Sequence, residues 1–223
     1  MTDLIFGVGV PTSAAPGDDP VGMALEAERL GFDFVSAADH PIGSSPSYET
    51  TTMLTWIAAH TSQINVASRV LGVPFRRPAM VAKFAASLDL LSGGRFILGL
   101  GAGYSDQEIA GVVGGPAMSP AEKIEGLSEA IKVVLGAWTR SGYSQRGNHH
   151  SVSDLTMEPR PAHPIPVWLG TFGPRAAEQV VSQLRRLLAI GFTGFNFLVS
   201  GPDQRGTMRR TAEEVLPAVR STG

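Results

Sequence analysis

The sequence has no cysteine, which excludes disulfides, thiol catalysis and cysteine-ligated zinc or iron–sulfur centres. It has no surplus of either charge: 18 basic against 20 acidic side chains leave a formal net charge of −2. No nucleic-acid-binding face and no charged tail is therefore expected. Long hydrophobic runs are missing too. Leu4–Val10 is short and interrupted by two glycines, and Met1-Thr2-Asp3 carries no basic stretch, so the start of the chain reads as neither signal peptide nor membrane span. The expectation is a cytoplasmic enzyme with no membrane or nucleic-acid partner. What is present is ordinary: 43% hydrophobic and 17% charged residues over 223 positions. That is enough to bury one core, and it predicts a single domain over residues 1–223.

Apolar, β-rich runs alternate with segments of helical period. Strands are predicted at Leu4–Val10, Phe32–Ala37, Ile64–Leu71, Arg95–Leu100, Ile165–Leu169 and Phe192–Val199. Four of the five intervals between their starts lie between 27 and 32 residues, the length of one β-α repeat. Nearly continuous apolar character predicts strands buried on both faces of a parallel sheet. Helix signals sit between them. Asp19-Pro20 starts a segment that Gly31 ends, and Pro78 opens another that Gly93-Gly94 stop. Ser119-Pro120-Ala121-Glu122 is a capping-box sequence leading the Ile124, Leu127, Ile131, Val134, Leu135 and Trp138 face. A further stripe, Val180, Leu184, Leu187 and Leu188, is closed by Gly191. The long interval contains Tyr143–Pro164, so an insertion over about 141–164, with a short hairpin, is expected.

Repeated βα units permit a doubly wound sheet or a barrel. The chemically unusual residues fall after the predicted strands: Asp39-His40, Gly72-Val73-Pro74, Gly101-Ala102-Gly103 and Gly170-Thr171. Functional groups gather at that end of a barrel, which favours the TIM-type (β/α) barrel. His40 is the candidate for proton transfer, because a near-neutral imidazole relays protons, with Asp39 able to orient it. The glycine run is not a dinucleotide fingerprint, since Tyr104 breaks GxGxxG, and no P-loop occurs. His149-His150 lacks a convincing third ligand, so no metal site is expected.

Leu88-Asp89-Leu90-Leu91-Ser92-Gly93-Gly94-Arg95-Phe96, running into Gly99-Leu100-Gly101-Ala102-Gly103, closely resembles the signature of the luciferase-like monooxygenase superfamily. Asp39-His40, Leu71–Pro78 and Pro164–Thr171 resemble its second, third and fifth strand ends. The form Val73-Pro74-Phe75-Arg76-Arg77-Pro78 resembles the branch dependent on the deazaflavin F420. The resemblance implies hydride transfer between coenzyme F420 and a small organic substrate. FMN-dependent monooxygenation and a catalytically silent flavin-binding protein are the alternatives. It implies His40 and Glu108 facing the pocket and a non-proline cis bulge at Gly72-Val73. It further implies cofactor contacts from Gly101, Ala102 and Gly103, with Thr171, Gly173 and Arg175 at a phosphate. Arg76, Arg77 and Arg205 are candidates for an acidic cofactor tail. The family has eight βα units where six are counted, so the barrel is expected to be incomplete, with a deletion near 176–178. Exposed strand edges are costly, which makes a homodimer the expected way of covering them.

Overall fold

A computed structural model describes residues 5–114, 117–170, 194–197, 204–210 and 212–213. Its centre is a parallel sheet of β1 (Ile5–Gly9), β2 (Phe34–Ala37), β3 (Asn65–Ser68), β4 (Leu71–Gly72), β5 (Phe96–Gly101), β8 (Val167–Gly170) and β9 (Gly194–Phe197). β3 and β4 both pair with β5, so they form one interrupted strand position. The order across the sheet is β9, β1, β2, β3/β4, β5, β8. The last strand lies beside the first, as in a barrel, and no pairing joins β8 to β9 among the described residues. The result is an α/β half-barrel with all six predicted strands present and parallel. The predicted helix at 178–190 and the junction near 176–178 lie outside the described residues.

Between the strands run α1 (Pro20–Arg29), α2 (Thr50–His60), α3 (Pro78–Ser92), α4 (Asp106–Val113) and α5 (Pro120–Thr139), with α6 (Gln204–Arg210) after β9. Their ends follow local chemistry. Asp19 Oδ1 accepts from the Gly22 N–H at 2.8 Å ahead of Pro20. Ser119 and Glu122 make the reciprocal capping box on α5. Gly93, at φ 72°, ends α3 in the left-handed region that a side chain would disfavour. α3 and α5 pack together, and the Trp138 indole donates to the Ala82 carbonyl at 3.0 Å between them. β6 (Tyr143–Gln145) and β7 (Val152–Leu155) form the antiparallel hairpin expected in the insertion.

Strand alternation divides the core. Phe6, Val8, Val35, Ala37, Val66, Phe96, Leu98 and Leu100 face the helices in the large cluster. Phe34, Ala67 and Ile97, with Ile5 and Trp168, face the concave side. There Phe34 and Trp168 meet edge to face at 4.8 Å, filling the lower interior of the half-barrel. The rim at the strand starts is tied by carboxylates and one guanidinium. Glu28 Oε1 accepts from the N–H groups of Ser62, Gln63 and Ile64 at 2.9, 2.6 and 3.0 Å. Burial pushes that carboxyl up, but the three N–H bonds outweigh it and hold the pKa below the ordinary range. Arg95 donates to the carbonyls of Ala58, Thr61, Ile64 and Ser92 and to the Thr61 hydroxyl, at 2.7–3.2 Å. This fork fastens the end of α2 to the start of β5.

Candidate active site at the strand ends

The concave face carries alternate residues of each strand, and the register shows which ones. Ala67 pairs with Ile97, Gly99 with Trp168, and Gly101 with Gly170. A Cβ on Gly99, Gly101 or Gly170 would lie 3.0, 2.5 or 2.7 Å from a Val70 methyl. Gly101 and Gly170 therefore make room for the Val70 side chain, which lies on the concave face, while a Cβ on Gly99 would first strike the Ser68 carbonyl oxygen. A Cβ on Gly103, at φ 85°, would meet Pro74 at 2.9 Å and Ile109 at 3.0 Å. The Cβ positions of Gly101 and Gly103 are thus taken by Val70 and by Pro74 and Ile109. Ala102 packs on the helix-side core.

The non-proline cis peptide is Arg69–Val70, not Gly72–Val73. Leu71 and Gly72 are occupied in pairing with Leu100 and Gly101, and Val73 turns into a 3-10 turn, Val73–Phe75, with its side chain in the helix-side core. The sequence placed the bulge one short strand too late.

His40 and Glu108 come together although 68 positions separate them. His40 follows β2, and Glu108 stands in the first turn of α4 after β5. Its nitrogen Nδ1 lies 3.1 and 3.2 Å from the two Glu108 carboxylate oxygens. Ser105, the N-cap, accepts from the Glu108 N–H at 3.2 Å and so fixes that turn. A proton on Nδ1 would be donated to this carboxylate, which would leave Nε2 as the nitrogen that exchanges one. The His40 side chain is 58% exposed and Glu108 20%, so the imidazole reaches solvent while its partner is held back.

Asp39 does not orient His40, contrary to the expectation from adjacency. Its side chain is fully buried and points the other way. Oδ2 accepts from the Gly72 N–H at 2.9 Å, and the Arg76 guanidinium bonds both oxygens, at 2.5 and 3.0 Å. Arg76 also donates to Glu49, the N-cap of α2. Burial pushes the Glu49 carboxyl up, but hydrogen bonds from Thr51, Arg76 and Thr52 overcome this and pull it to about 2. Burial lowers the Arg76 pKa less than Asp39 and Glu49 raise it. This network ties the end of β2 to β4 and α2, and so seats the loop that presents His40.

Arg76 is thus committed within the protein rather than to a cofactor tail, and Arg205 bonds Asp19 at 3.0 Å. Thr171, Gly173 and Arg175 lie outside the described residues. His149 and His150 are half-buried against α5 rather than exposed: Glu129 accepts from the N–H groups of Asn148, His149 and His150 at 2.7–2.9 Å, and His149 Nε2 lies 3.3 Å from Glu125. Among the described residues no group of three or more His, Asp and Glu side chains is arranged to hold a metal, and no helix is long and apolar enough to cross a membrane. Reading the sequence missed Val70 and Arg69. Neither residue type is unusual after a strand; contacts across β5 and β8 reveal Val70, and the unpartnered buried Nε reveals Arg69.

The chain can be set beside known proteins. It is 32% identical over 210 residues to the F420-dependent glucose-6-phosphate dehydrogenase of Intrasporangium calvum, covering 89% of this chain and 58% of that protein. The chain thus spans little more than half the length of that relative. An F420-dependent secondary alcohol dehydrogenase in complex with an F420-acetone adduct matches in structure with a TM-score of 0.72 at 20% identity, over 95% of this chain and 66% of that one. An FMN complex of the oxygenating constituent of 3,6-diketocamphane monooxygenase from Pseudomonas putida matches at 0.69 and 16%, over 95% and 62%. At such identity these two likenesses speak for the fold alone. Residues 4–195 match the family model for luciferase-like monooxygenase, and the chain belongs to the luciferase-like monooxygenase family.

Proposed function

We propose that this chain is an F420-dependent oxidoreductase acting on a small organic substrate, with His40 and Glu108 moving the proton that accompanies hydride transfer. The observation that carries this is the His40–Glu108 pair at the C-terminal strand ends. Glu108 sets the tautomer and restrains the ring, and Nε2 gives or takes a proton. Bound F420 would supply the hydride chemistry. The concave side suits a planar ring, because Val70 offers it an apolar surface. Thr171, Gly173 and Arg175 would meet the phosphate. The F420-dependent relatives support the cofactor. FMN-dependent monooxygenation is the second reading, favoured by the fold shared with the FMN complex. Oxygen uptake with reduced FMN separates it from F420 chemistry, which needs no oxygen. We also propose a cytoplasmic homodimer, which would cover the strand edges left without a pairing among the described residues. Light scattering showing only monomer would refute that assembly.

The test of the main reading is His40→Ala. Turnover with F420 should fall by roughly 10²–10⁴-fold, the usual cost of a lost general acid or base. F420 affinity, read by fluorescence, should change far less. Unchanged turnover removes His40 from the reaction. Absence of F420 binding by the unaltered chain removes the reading.

A further inference from the structure

Arg69 directly follows β3, and its N–H continues the ladder by donating to the Ala37 carbonyl at 2.7 Å. Alternation from Ala67, which packs on the concave face with Phe34 and Ile97, puts Arg69 on that same face. The next residue, Val70, also lies there, against the glycines of β5 and β8. The bulge therefore presents two consecutive side chains to the mouth of the half-barrel, one apolar and one cationic.

Among the described residues the guanidinium has no counter-charge. Its Nε is buried without a hydrogen-bond partner, and among the described residues no acidic side chain bonds it. The carboxylates at this end are already committed: Asp39 to Arg76 and the Gly72 N–H, Glu49 to Arg76, and Glu108 to His40. Burial alone pulls the Arg69 pKa below the usual arginine value. A half-buried, unpaired cation is costly to the ligand-free fold, and charges are normally removed from water only where something pairs with them. Arginine is also the side chain whose planar fork suits an oxyanion.

We propose that Arg69 is an anion-binding subsite of this mouth and takes an oxyanion, a carboxylate or phosphate, carried by the substrate. This rests on the active site proposed above. It narrows the substrate class from small organic molecules to anionic ones, with the anion beside Val70 and the reacting carbon toward His40.

The experiment compares the unaltered chain with Arg69→Met and Arg69→Lys, without cofactor, in inorganic phosphate and in acetate at constant ionic strength. Binding is read by calorimetry and by the thermal midpoint. The unaltered chain should bind at least one of these ions, and Arg69→Met should weaken it by about tenfold or more, as expected for a lost charge-assisted bond. Preference between the ions tells phosphate from carboxylate. Arg69→Met should also melt higher than the unaltered chain in chloride, because an unpaired cation is gone, which separates lost binding from misfolding. Arg69→Lys should retain part of the binding. Equal responses in the unaltered chain and Arg69→Met would mean an adventitious ion only and overturn the proposal. A parallel F420 titration separates the two readings. If F420 affinity stays within about twofold in Arg69→Met, the anion belongs to the substrate. If it falls with phosphate binding, the anion belongs to the cofactor and the proposal fails while the F420 reading stands. Ion binding through Arg69 with no F420 binding at all would leave the subsite standing and remove the cofactor reading.

Discussion

Replacing Arg76 by methionine should be among the most damaging single changes at the mouth of the half-barrel. The Asp39 side chain is completely buried, and Arg76 is 20% exposed. Beyond their two guanidinium–carboxylate bonds, Asp39 has one further partner among the described residues, the Gly72 N–H at 2.9 Å. Removing the cation strands a buried carboxylate, a change that costs about 3–5 kcal/mol when one partner of a buried pair is lost. The bond to Glu49, whose side chain is 43% exposed, adds under about 1 kcal/mol because water screens it. The total is a loss of about 3–5 kcal/mol, a large part of a typical domain's stability. Urea unfolding at neutral pH measures it, provided the slope of free energy against denaturant is unchanged. Asp39→Asn keeps an acceptor for the Gly72 N–H and removes the stranded charge, so Asp39→Asn combined with Arg76→Met should regain about 2 kcal/mol of the single-variant loss. A single-variant loss below about 1 kcal/mol, or a double variant as unstable as Arg76→Met alone, would show that the pair does not secure this rim.

The Glu49 carboxyl gives a pH signature. Its pKa is lowered from 4.5 to about 2 on folding, so the folded state binds fewer protons and stability rises with pH through that window. The contribution is fully present above pH 4.5 and lost as pH falls toward 2. Glu49→Gln should flatten this part of the urea-midpoint profile, and an unchanged profile would assign the acid sensitivity elsewhere. Arg95→Lys should cost about 2–4 kcal/mol despite keeping the charge, because an ammonium cannot serve the carbonyls of Ala58, Thr61, Ile64 and Ser92 at once. Thermal denaturation checks this, and a midpoint equal to that of the unaltered chain would refute the clamp.

The first half of the motif that resembles the family signature is structural. Ser92-Gly93-Gly94-Arg95 lies at the start of β5, away from His40, where Gly93 ends a helix and Arg95 fastens a loop. Functional groups of barrels lie at the opposite rim, and the starting rim serves stability. The candidate proton-transfer pair comes instead from less distinctive residues, an imidazole after β2 and a carboxylate on α4.

Strand positions, helix ends and parallel winding were legible in the sequence because each depends on nearby residues. Apolar runs specify buried strands, Asp19-Pro20 and Ser119–Glu122 satisfy their own helix starts, and Gly93 adopts the left-handed turn without help. His40 and Glu108 were legible as separate candidates from the family pattern. Their pairing was not, because it depends on β2 and β5 bringing positions 68 residues apart within 3.1 Å. Tertiary structure alone turned Asp39 away from its neighbour and toward Arg76, since a buried carboxylate goes to the strongest donors in reach. It also filled the concave space of Gly101 and Gly170 with Val70, and left the Arg69 guanidinium beside it without a counter-charge among the described residues. Periodicity and capping are properties of a short segment; the pairing of charges and the filling of space across strands are decided only when the sheet curls.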